Sequence, residues 1–261
     1  MSGFGREPVS TPDGWGVRWE PSPAARIRLF CLPHSGGGAA AYRRWAGLLA
    51  PDIEVVALRP PGRESRFHEP PFTRLDDLVA SLVRGVEPLL ERPHAWFGHS
   101  MGAPVAFEVC RALRRLGAGE PIRLFTSAYP APHLVPRWAP VHDASPEEFL
   151  RRLRRFGGTP PELLARADAL TGFLPTLRAD FAVVETYRCR PEPALECPLS
   201  VFGGTEDTFT DVTQLREWRL HSTEECLVRM VPGGHFFPHA DPARVLDAIR
   251  ADLPAPSRAL W

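Results

Sequence analysis

The sequence predicts an α/β fold in which a mainly parallel central sheet is covered by helices on both faces. Three observations support this class. Short, nearly continuous apolar runs alternate with longer stretches that have apolar residues at helical spacing. Strands that are apolar on both faces are typical of parallel sheets buried between layers of helices. In addition, 261 residues with 44% apolar residues suffice to bury a full core.

The charge balance limits the partners that we expect. The chain has 31 basic and 31 acidic residues, so its formal net charge is zero. No field of one sign attracts nucleic acid or an anionic membrane, and we expect neither as a partner. Five cysteines lie far apart without the spacing of a metal site, which favours reduced thiols and no bound metal. The N-terminus has no signal-peptide pattern and no apolar run approaches the thickness of a bilayer, so we expect a cytoplasmic protein.

The first half of the chain alternates between strands and helices. Residues 1–25 are polar and rich in proline and glycine, and we expect a leader that includes a short edge strand at 16–19. Further strands are predicted at 26–34, 53–60, 94–100 and 122–130. Helices are predicted at 35–50 after a glycine loop, at 73–90 with Thr73 as N-cap, and at 101–117 with Gly117 as the terminating residue.

The alternation is interrupted after residue 130 by helical patterns without a clear strand. We therefore predict a helical insertion at 131–192 between two parts of one core, 26–130 and 193–253. Within the insertion, Ser145 is expected to cap a helix, and Pro175 is expected to break a second one. The remaining predicted elements are helices at 145–158, 161–188 and 241–253, strands at 198–204 and 226–234, and a tail at 254–261.

The stretch Gly98-His99-Ser100-Met101-Gly102 joins a predicted strand directly to a predicted helix. A serine in such a sharp turn stands above the carboxyl edge of the sheet, where ligands of α/β proteins bind. The alternative is a serine that only caps a helix in a glycine-rich turn. The strand before the motif and the helix after it favour Ser100 as a nucleophile.

A serine hydroxyl needs a base, and the base needs an orienting acid. His235 follows two glycines at the end of the last predicted strand, and Asp207 follows the preceding strand. Both would therefore lie at the same edge of the sheet as Ser100. The alternatives are His239 for the base and Glu206 or Asp211 for the acid. His99 faces away from the turn, so we expect it to line the pocket or to pack in the core.

The oxyanion formed by attack on a carbonyl needs backbone N–H donors. The amide of Met101 is one candidate, and the glycine-rich loop 33–38 contains the other. A phosphate-binding loop is the alternative interpretation of these glycines. It is disfavoured because no G-K-[ST] and no G-x-G-x-x-G motif is present.

Five motifs, in order, resemble the type II thioesterases that accompany polyketide and nonribosomal peptide synthases. They are LFCLPHSGGGAAAYRRWAGLL, EVVALRPPGRESR, FGHSMGAPVAFEV, FGGTED and VPGGHFF, and the resemblance extends from about residue 26 to 253. It implies an α/β-hydrolase fold with a helical lid, corresponding to 131–192. It also implies Ser100 as nucleophile, Asp207 as acid and His235 as base. The implied oxyanion donors are the amides of Met101 and Ser35, although many members carry alanine where this chain has Ser35.

The resemblance further implies the reaction and the partners. Members of the family remove acyl groups from the phosphopantetheine arm of carrier proteins, which clears stalled or misprimed chains, and the enzyme needs no cofactor of its own. We expect a monomer that acts on acyl-loaded carrier proteins of a polyketide or nonribosomal peptide synthase. Candidate residues of the acyl channel are His34, Gly36, Phe149, Phe173 and Phe236.

Some side chains keep two interpretations. Helical spacing places Phe149 and Phe156 on one face of a predicted lid helix, and Phe173 lies on the apolar face of the next one. These apolar lid residues either form a roof over the acyl channel or simply pack against the domain. We expect Arg63 to be structural or to face the rim. The arginines of 151–155 either meet an acidic carrier protein or form a solvated helix face.

Two other functions remain open from the sequence. One is a chain-releasing thioesterase or general carboxylesterase of the same fold. The other, of a different class, is a non-catalytic binding scaffold; such proteins usually lack a member of the triad, and here all three residue types are present.

Overall fold

The structure, a computed structural model, describes residues 8–135, 139–157 and 167–254. Within these residues, eight strands form a single sheet. The strands are β1 (Val9–Ser10), β2 (Gly16–Arg18), β3 (Ile27–Leu32), β4 (Ile53–Leu58), β5 (His94–His99), β6 (Arg123–Ser127), β7 (Leu199–Gly204) and β8 (Cys226–Val231). Their order across the sheet is β1-β2-β4-β3-β5-β6-β7-β8.

The sheet is parallel except at its N-terminal edge. The pairs β1–β2 and β2–β4 are antiparallel, and every later pair is parallel. The predicted α/β class is thereby confirmed. The strand predicted at 16–19 is present as β2, but β1 lies outside it, so β2 is not the edge. Trp15 and Val17 are buried, so this part of the predicted leader packs onto the domain.

Helices cover both faces of the sheet. The α-helices are α1 (Arg43–Leu49), α2 (Leu75–Val86), α3 (Gly102–Arg115), α4 (Pro146–Phe156), α5 (Ala167–Glu185), α6 (Val212–Arg216), α7 (Phe237–Ala240) and α8 (Pro242–Asp252). Short 3-10 helices lie at Ala39–Tyr42, Glu64–Arg66, Glu87–Leu89 and Glu217–His221. One buried apolar cluster joins the sheet to α2 and α3, and a second joins it to α1 and α8. No helix in the described part of the chain is long and apolar enough to span a bilayer.

Most of the predicted helix ends agree with the structure. The Ser145 hydroxyl accepts a hydrogen bond from the Glu148 amide at 3.3 Å and so caps α4. Gly117 terminates α3 in the left-handed conformation, with φ of 68°. Thr73 as a cap was wrong, because Arg74 is the N-cap of α2 and its side chain makes no capping bond. The first turn of α2 instead contains two aspartates, whose charges interact favourably with the helix dipole.

The expected break at Pro175 was also wrong, because α5 continues through it from Ala167 to Glu185. Proline removes one backbone donor, but tertiary packing stabilises the helix on its C-terminal side. There Leu177 and Phe181 are buried against Phe149 and Leu153 of α4. We call helices α4 and α5 the lid and this apolar cluster between them the lid core. The lid core is separate from the two clusters that line the sheet. The predicted helix start at 161–166 and the tail from residue 255 lie outside the described residues.

Candidate active site

The turn between β5 and α3 places Ser100 at the carboxyl edge of the sheet. Ser100 has a positive φ of 53°, which non-glycine residues rarely adopt. A Cβ on Gly98 would lie 2.0 Å from the carbonyl oxygen of Gly102, and one on Gly102 would lie 2.3 Å from that of Leu32. Only glycine fits at either position. This explains why the motif has small residues two places before and two places after the serine.

Three side chains from three strand ends form one hydrogen-bonded chain. His235 Nε2 lies 3.0 Å from Ser100 Oγ, and His235 Nδ1 lies 2.9 Å from Asp207 Oδ2. The Asp207 side chain is fully buried and that of His235 is 5% exposed. The sequence predicted each of these residues separately, and the parallel sheet brings them together because β5, β7 and β8 all end at the same edge.

Hydrogen bonds from neighbouring groups hold the Asp207 carboxylate in place. It accepts hydrogen bonds from the Phe209 amide and the Thr210 hydroxyl, both at 2.8 Å. Burial raises the pKa of Asp207. The hydrogen bond and the charge of His235, together with these two donors, lower it by more, so the net pKa lies below its usual value. The carboxylate therefore remains ionised opposite the imidazole.

The alternative residues occupy other positions. Glu206 is exposed, and Asp211 caps α6 by accepting from the amides of Thr213 and Gln214 at 2.9 and 3.0 Å. His99 is fully buried, and its Nδ1 lies 3.1 Å from the Ser127 hydroxyl. His239 packs beside His99 and His34.

The glycine loop after β3 lies close to the lid. The described residues contain no hydrogen-bond acceptor for the backbone amides of Met101 and Ser35, the two implied oxyanion donors. Gly36 has a positive φ of 76°. A Cβ on it would lie 2.5 Å from Leu177 and 3.0 Å from Phe173, so helix α5 sits directly against this loop.

A buried ion pair joins the lid to this loop, and no local sequence pattern indicated it. Arg63 donates to both carboxylate oxygens of Asp180, at 2.7 and 2.8 Å, and to the Gly37 carbonyl oxygen at 2.9 Å. The same carboxylate accepts from the Gly36 amide at 2.6 Å. Arg63 and Asp180 are only 3% exposed. Arg63 is thus structural, as one of the two predicted interpretations had it.

Aromatic side chains from the lid and the core cover His235. Phe156 of α4 stacks on Phe209 with ring centroids 3.8 Å apart, and its ring lies 5.4 Å from that of His235. The Phe236 ring lies 5.1 Å from the same imidazole. Among the channel candidates, Phe236 also contacts His34, with ring centroids 4.9 Å apart, and Phe173 lies against Gly36. Phe149 is fully buried in the lid core, which corresponds to the packing alternative.

The arginines of α4 take part in local interactions. Arg151 forms an ion pair with Glu148 one turn away, and Arg152 donates to the Ala139 carbonyl oxygen at 3.4 Å. Exposed pairs of this kind contribute little to stability. This arrangement matches the solvated helix face that the sequence left as one interpretation.

Comparisons with known proteins identify the family of the chain. Residues 27–253 match the family model described as "Thioesterase domain". The chain is 38% identical to the gramicidin S biosynthesis protein GrsT of Aneurinibacillus migulanus, over 88% of this chain and 90% of that protein.

Two solved structures are similar in fold and in sequence. The type II thioesterase BorB from the borrelidin biosynthetic cluster has a TM-score of 0.84 and 34% identity, covering 92% of this chain and 98% of BorB. The thioesterase RedJ from the prodiginine pathway of Streptomyces coelicolor has a TM-score of 0.83 and 35% identity, covering 90% of this chain and 89% of RedJ. The family model spans most of the chain, and the chain therefore belongs to the thioesterase family of α/β hydrolases.

Proposed function

We propose that this chain is an editing thioesterase that hydrolyses acyl groups from the phosphopantetheine arm of carrier proteins in a polyketide or nonribosomal peptide pathway. The observation that carries the proposal is the continuous hydrogen-bonded chain from Asp207 through His235 to Ser100 at the carboxyl edge of the sheet. The membership in the thioesterase family and the likeness to BorB and RedJ support the substrate class.

The first half of the reaction transfers the acyl group to the enzyme. His235 Nε2 takes the proton of the Ser100 hydroxyl while Oγ attacks the thioester carbonyl carbon. The carbonyl π electrons move to oxygen, and the amides of Met101 and Ser35 stabilise this oxyanion. The oxyanion then reforms the carbonyl, the C–S bond breaks, and His235 gives its proton to the departing sulfur. Asp207 holds the imidazole in the required tautomer and stabilises its charged form.

The second half regenerates the enzyme. His235 takes a proton from a water molecule, whose oxygen attacks the acyl carbon of the ester on Ser100. Collapse of the second oxyanion breaks the bond to Oγ, and the proton returns to Ser100. The acyl chain leaves as a free acid. These steps use only side chains and backbone groups of the chain, and no cofactor takes part in them.

The side chains around the reacting groups support an acyl substrate. The Phe156 and Phe236 rings lie 5.4 and 5.1 Å from that of His235, and Phe173 lies against Gly36. These apolar side chains would line the path of an acyl chain that is carried on a long, flexible arm. The thiolate is also a better leaving group than an alkoxide, so the enzyme contributes mainly by positioning.

A labelling experiment combined with a pair of matched substrates tests this function. We expect a fluorophosphonate probe to label the wild-type protein on Ser100 and to leave Ser100→Ala unlabelled. The wild type should also hydrolyse acetyl and propionyl thioesters of pantetheine faster than oxygen esters with the same acyl groups. Labelling without thioester preference would indicate a general carboxylesterase, and no labelling of a folded protein would indicate a binding scaffold.

A further inference from the structure

Three histidines converge beside the proposed active site without taking part in the steps above. His34 follows β3, His99 ends β5, and His239 lies in α7. One ring nitrogen of each lies within 4.8 Å of the others. The three ring centroids are 5.3 to 5.8 Å apart. We call these residues the histidine cluster.

Four ring nitrogens of the histidine cluster are buried without a hydrogen-bond partner in the described structure: Nδ1 of His34, Nε2 of His99 and both nitrogens of His239. The backbone of Ala41 favours the protonated form of His239, but it completes no hydrogen bond with the ring. Buried polar atoms almost always have a partner in the protein, an ordered water or an ion. So many unpartnered nitrogens at one point indicate a ligand that accepts electron pairs.

Burial of the histidine cluster favours the uncharged imidazole. Burial, followed by the charge of neighbouring histidines, lowers the pKa of His34 to about 3. Burial is also the largest cause that lowers the pKa of His239 to about 4 and that of His99 well below its usual value. The neutral imidazole is also the form that binds metal ions.

One member is already oriented as a metal ligand. The Nδ1 of His99 lies 3.1 Å from the Ser127 hydroxyl, and when Nδ1–H donates to this oxygen, the lone pair of the buried Nε2 is left for a ligand. Such an outer partner is typical of metal-bound histidines. Ligand nitrogens around zinc lie roughly 3.4 Å apart. Because the nitrogens of the histidine cluster lie within 4.8 Å of one another, no separation has to shorten by more than about 1.4 Å. Rotation of the two rings that no strong hydrogen bond holds can supply this movement.

We propose that the histidine cluster binds one zinc-type transition-metal ion through one nitrogen from each ring, with solvent in the fourth position. Three imidazoles without a carboxylate suit Zn²⁺ or Co²⁺ rather than Mg²⁺ or Ca²⁺, which prefer oxygen ligands. The nearby charge of Arg63 is offset by its bidentate pair with Asp180.

The sequence-based expectation of no metal depended on local spacing. His34, His99 and His239 lie far apart along the chain, so spacing could not reveal a site that only the fold assembles. The proposal does not rest on the proposed function, because the cluster takes no part in the hydrolysis.

Titration of the chelator-treated full chain with Co²⁺ and with Zn²⁺ tests the proposal. We expect one ion per chain by calorimetry, a new visible absorption from bound Co²⁺, and a rise in melting temperature with Zn²⁺. His239→Phe should weaken binding by at least about 100-fold, and Ser127→Ala by about 10-fold to 100-fold. Fluorophosphonate labelling of Ser100 reports on the fold of each variant, so a failure here is distinguishable from a failure of the proposed function.

His221→Phe is the matched control. His221 also belongs to a histidine pair, with its Nε2 2.8 Å from Nδ1 of His133, and that pair lies elsewhere on the domain. We expect this variant to bind one ion as the wild type does. Absence of stoichiometric binding by the wild type would overturn the proposal. So would binding that is lost in His221→Phe, or binding that persists unchanged in both His239→Phe and Ser127→Ala. If His239→Phe does not fold, Ser127→Ala decides alone.

Discussion

The carboxyl rim of the sheet and the helical lid hold their functional groups in different ways. At the rim, Ser100, Asp207 and His235 follow the carboxyl ends of the parallel strands β5, β7 and β8, so the strand ends determine where these side chains lie. The lid helices α4 and α5 have their own small apolar core, and a buried ion pair joins Asp180 of α5 to Arg63. The rim therefore depends on the sheet, whereas the lid also depends on a polar contact that one substitution can remove.

The largest effect should come from the rim. Asp207→Asn should lower kcat by about 10⁴-fold, because the amide no longer holds the productive tautomer of His235 or stabilises its charge. Hydrolysis of acyl-pantetheine thioesters measures this loss. A variant with more than a tenth of wild-type activity would show that another group orients His235.

Asp207 should also affect stability at acidic pH. Its pKa is depressed in the folded state, so its contribution is present above the unfolded pKa of about 3.9 and is lost as the pH falls through the lower folded value. Asp207→Asn should lack this component, which melting curves between about pH 2 and 6 would reveal. Parallel loss of stability in both proteins would contradict the assignment.

Loss of the ion pair between Asp180 and Arg63 should have the next largest effect. Asp180→Asn leaves the Arg63 charge buried without its partner, which should cost about 3 to 5 kcal/mol of unfolding free energy. The Gly36 amide also loses a charged acceptor, so we expect kcat to fall by about 10-fold to 100-fold, less than removal of an oxyanion donor.

An exposed ion pair provides the control for Asp180→Asn. Arg66 and Glu69 pair at 2.6 Å, with Glu69 about half exposed. Glu69→Gln should cost less than about 1 kcal/mol and leave kcat unchanged. Equal effects of the two substitutions in denaturant unfolding and in kinetics would remove the distinction between a lid anchor and an ordinary surface pair.

The tight turn at Ser100 should not accommodate even a methyl side chain at Gly98. Gly98→Ala places a Cβ 2.0 Å from a backbone oxygen, so we expect a loss of about 3 kcal/mol and reduced labelling of Ser100. Gly47→Ala in α1 has open space around the added Cβ and should be neutral or slightly stabilising. Urea unfolding compares the two directly, and a neutral Gly98→Ala would contradict the close approach of strand and helix.

The smallest effect should come from removing the Phe156 ring, which covers His235. Phe156→Ala removes the ring stacked on Phe209, so water gains access to His235. We expect less than about a 10-fold change in kcat/KM for short acyl chains and a larger one for longer chains, because the roof contributes apolar contacts to the acyl group. The same loss for acetyl and for long chains would show that Phe156 does not line the acyl channel.

The two regions also differ in how much the sequence reveals about them. The glycines around Ser100 are demanded by local backbone contacts, and strand ends in a parallel sheet meet at one edge, so the residues of the rim could be predicted. Asp180 contacts Arg63 and Gly36, which are more than a hundred residues away, and no local pattern reports such a pair.

The wrong predictions at Pro175 and Thr73 have the same physical origin, because both relied on local sequence alone. Pro175 lies within a helix because tertiary packing overrides its local preference, and the Thr73 hydroxyl was expected to cap a helix that begins without a side-chain cap. Helical spacing placed Phe149 and Phe156 on one face of α4 but could not distinguish them. One is buried in the lid core, and the other covers His235.

The proposed function requires Ser100 to remove acyl groups from carrier proteins. We would incubate carrier proteins loaded with acetyl, propionyl and longer acyl groups with the wild type and with Ser100→Ala, and follow their intact masses. We expect loss of acyl mass from the carriers with the wild type, fastest for short chains, and no loss with the variant. Carriers that keep every acyl group, while simple esters are cleaved, would contradict it.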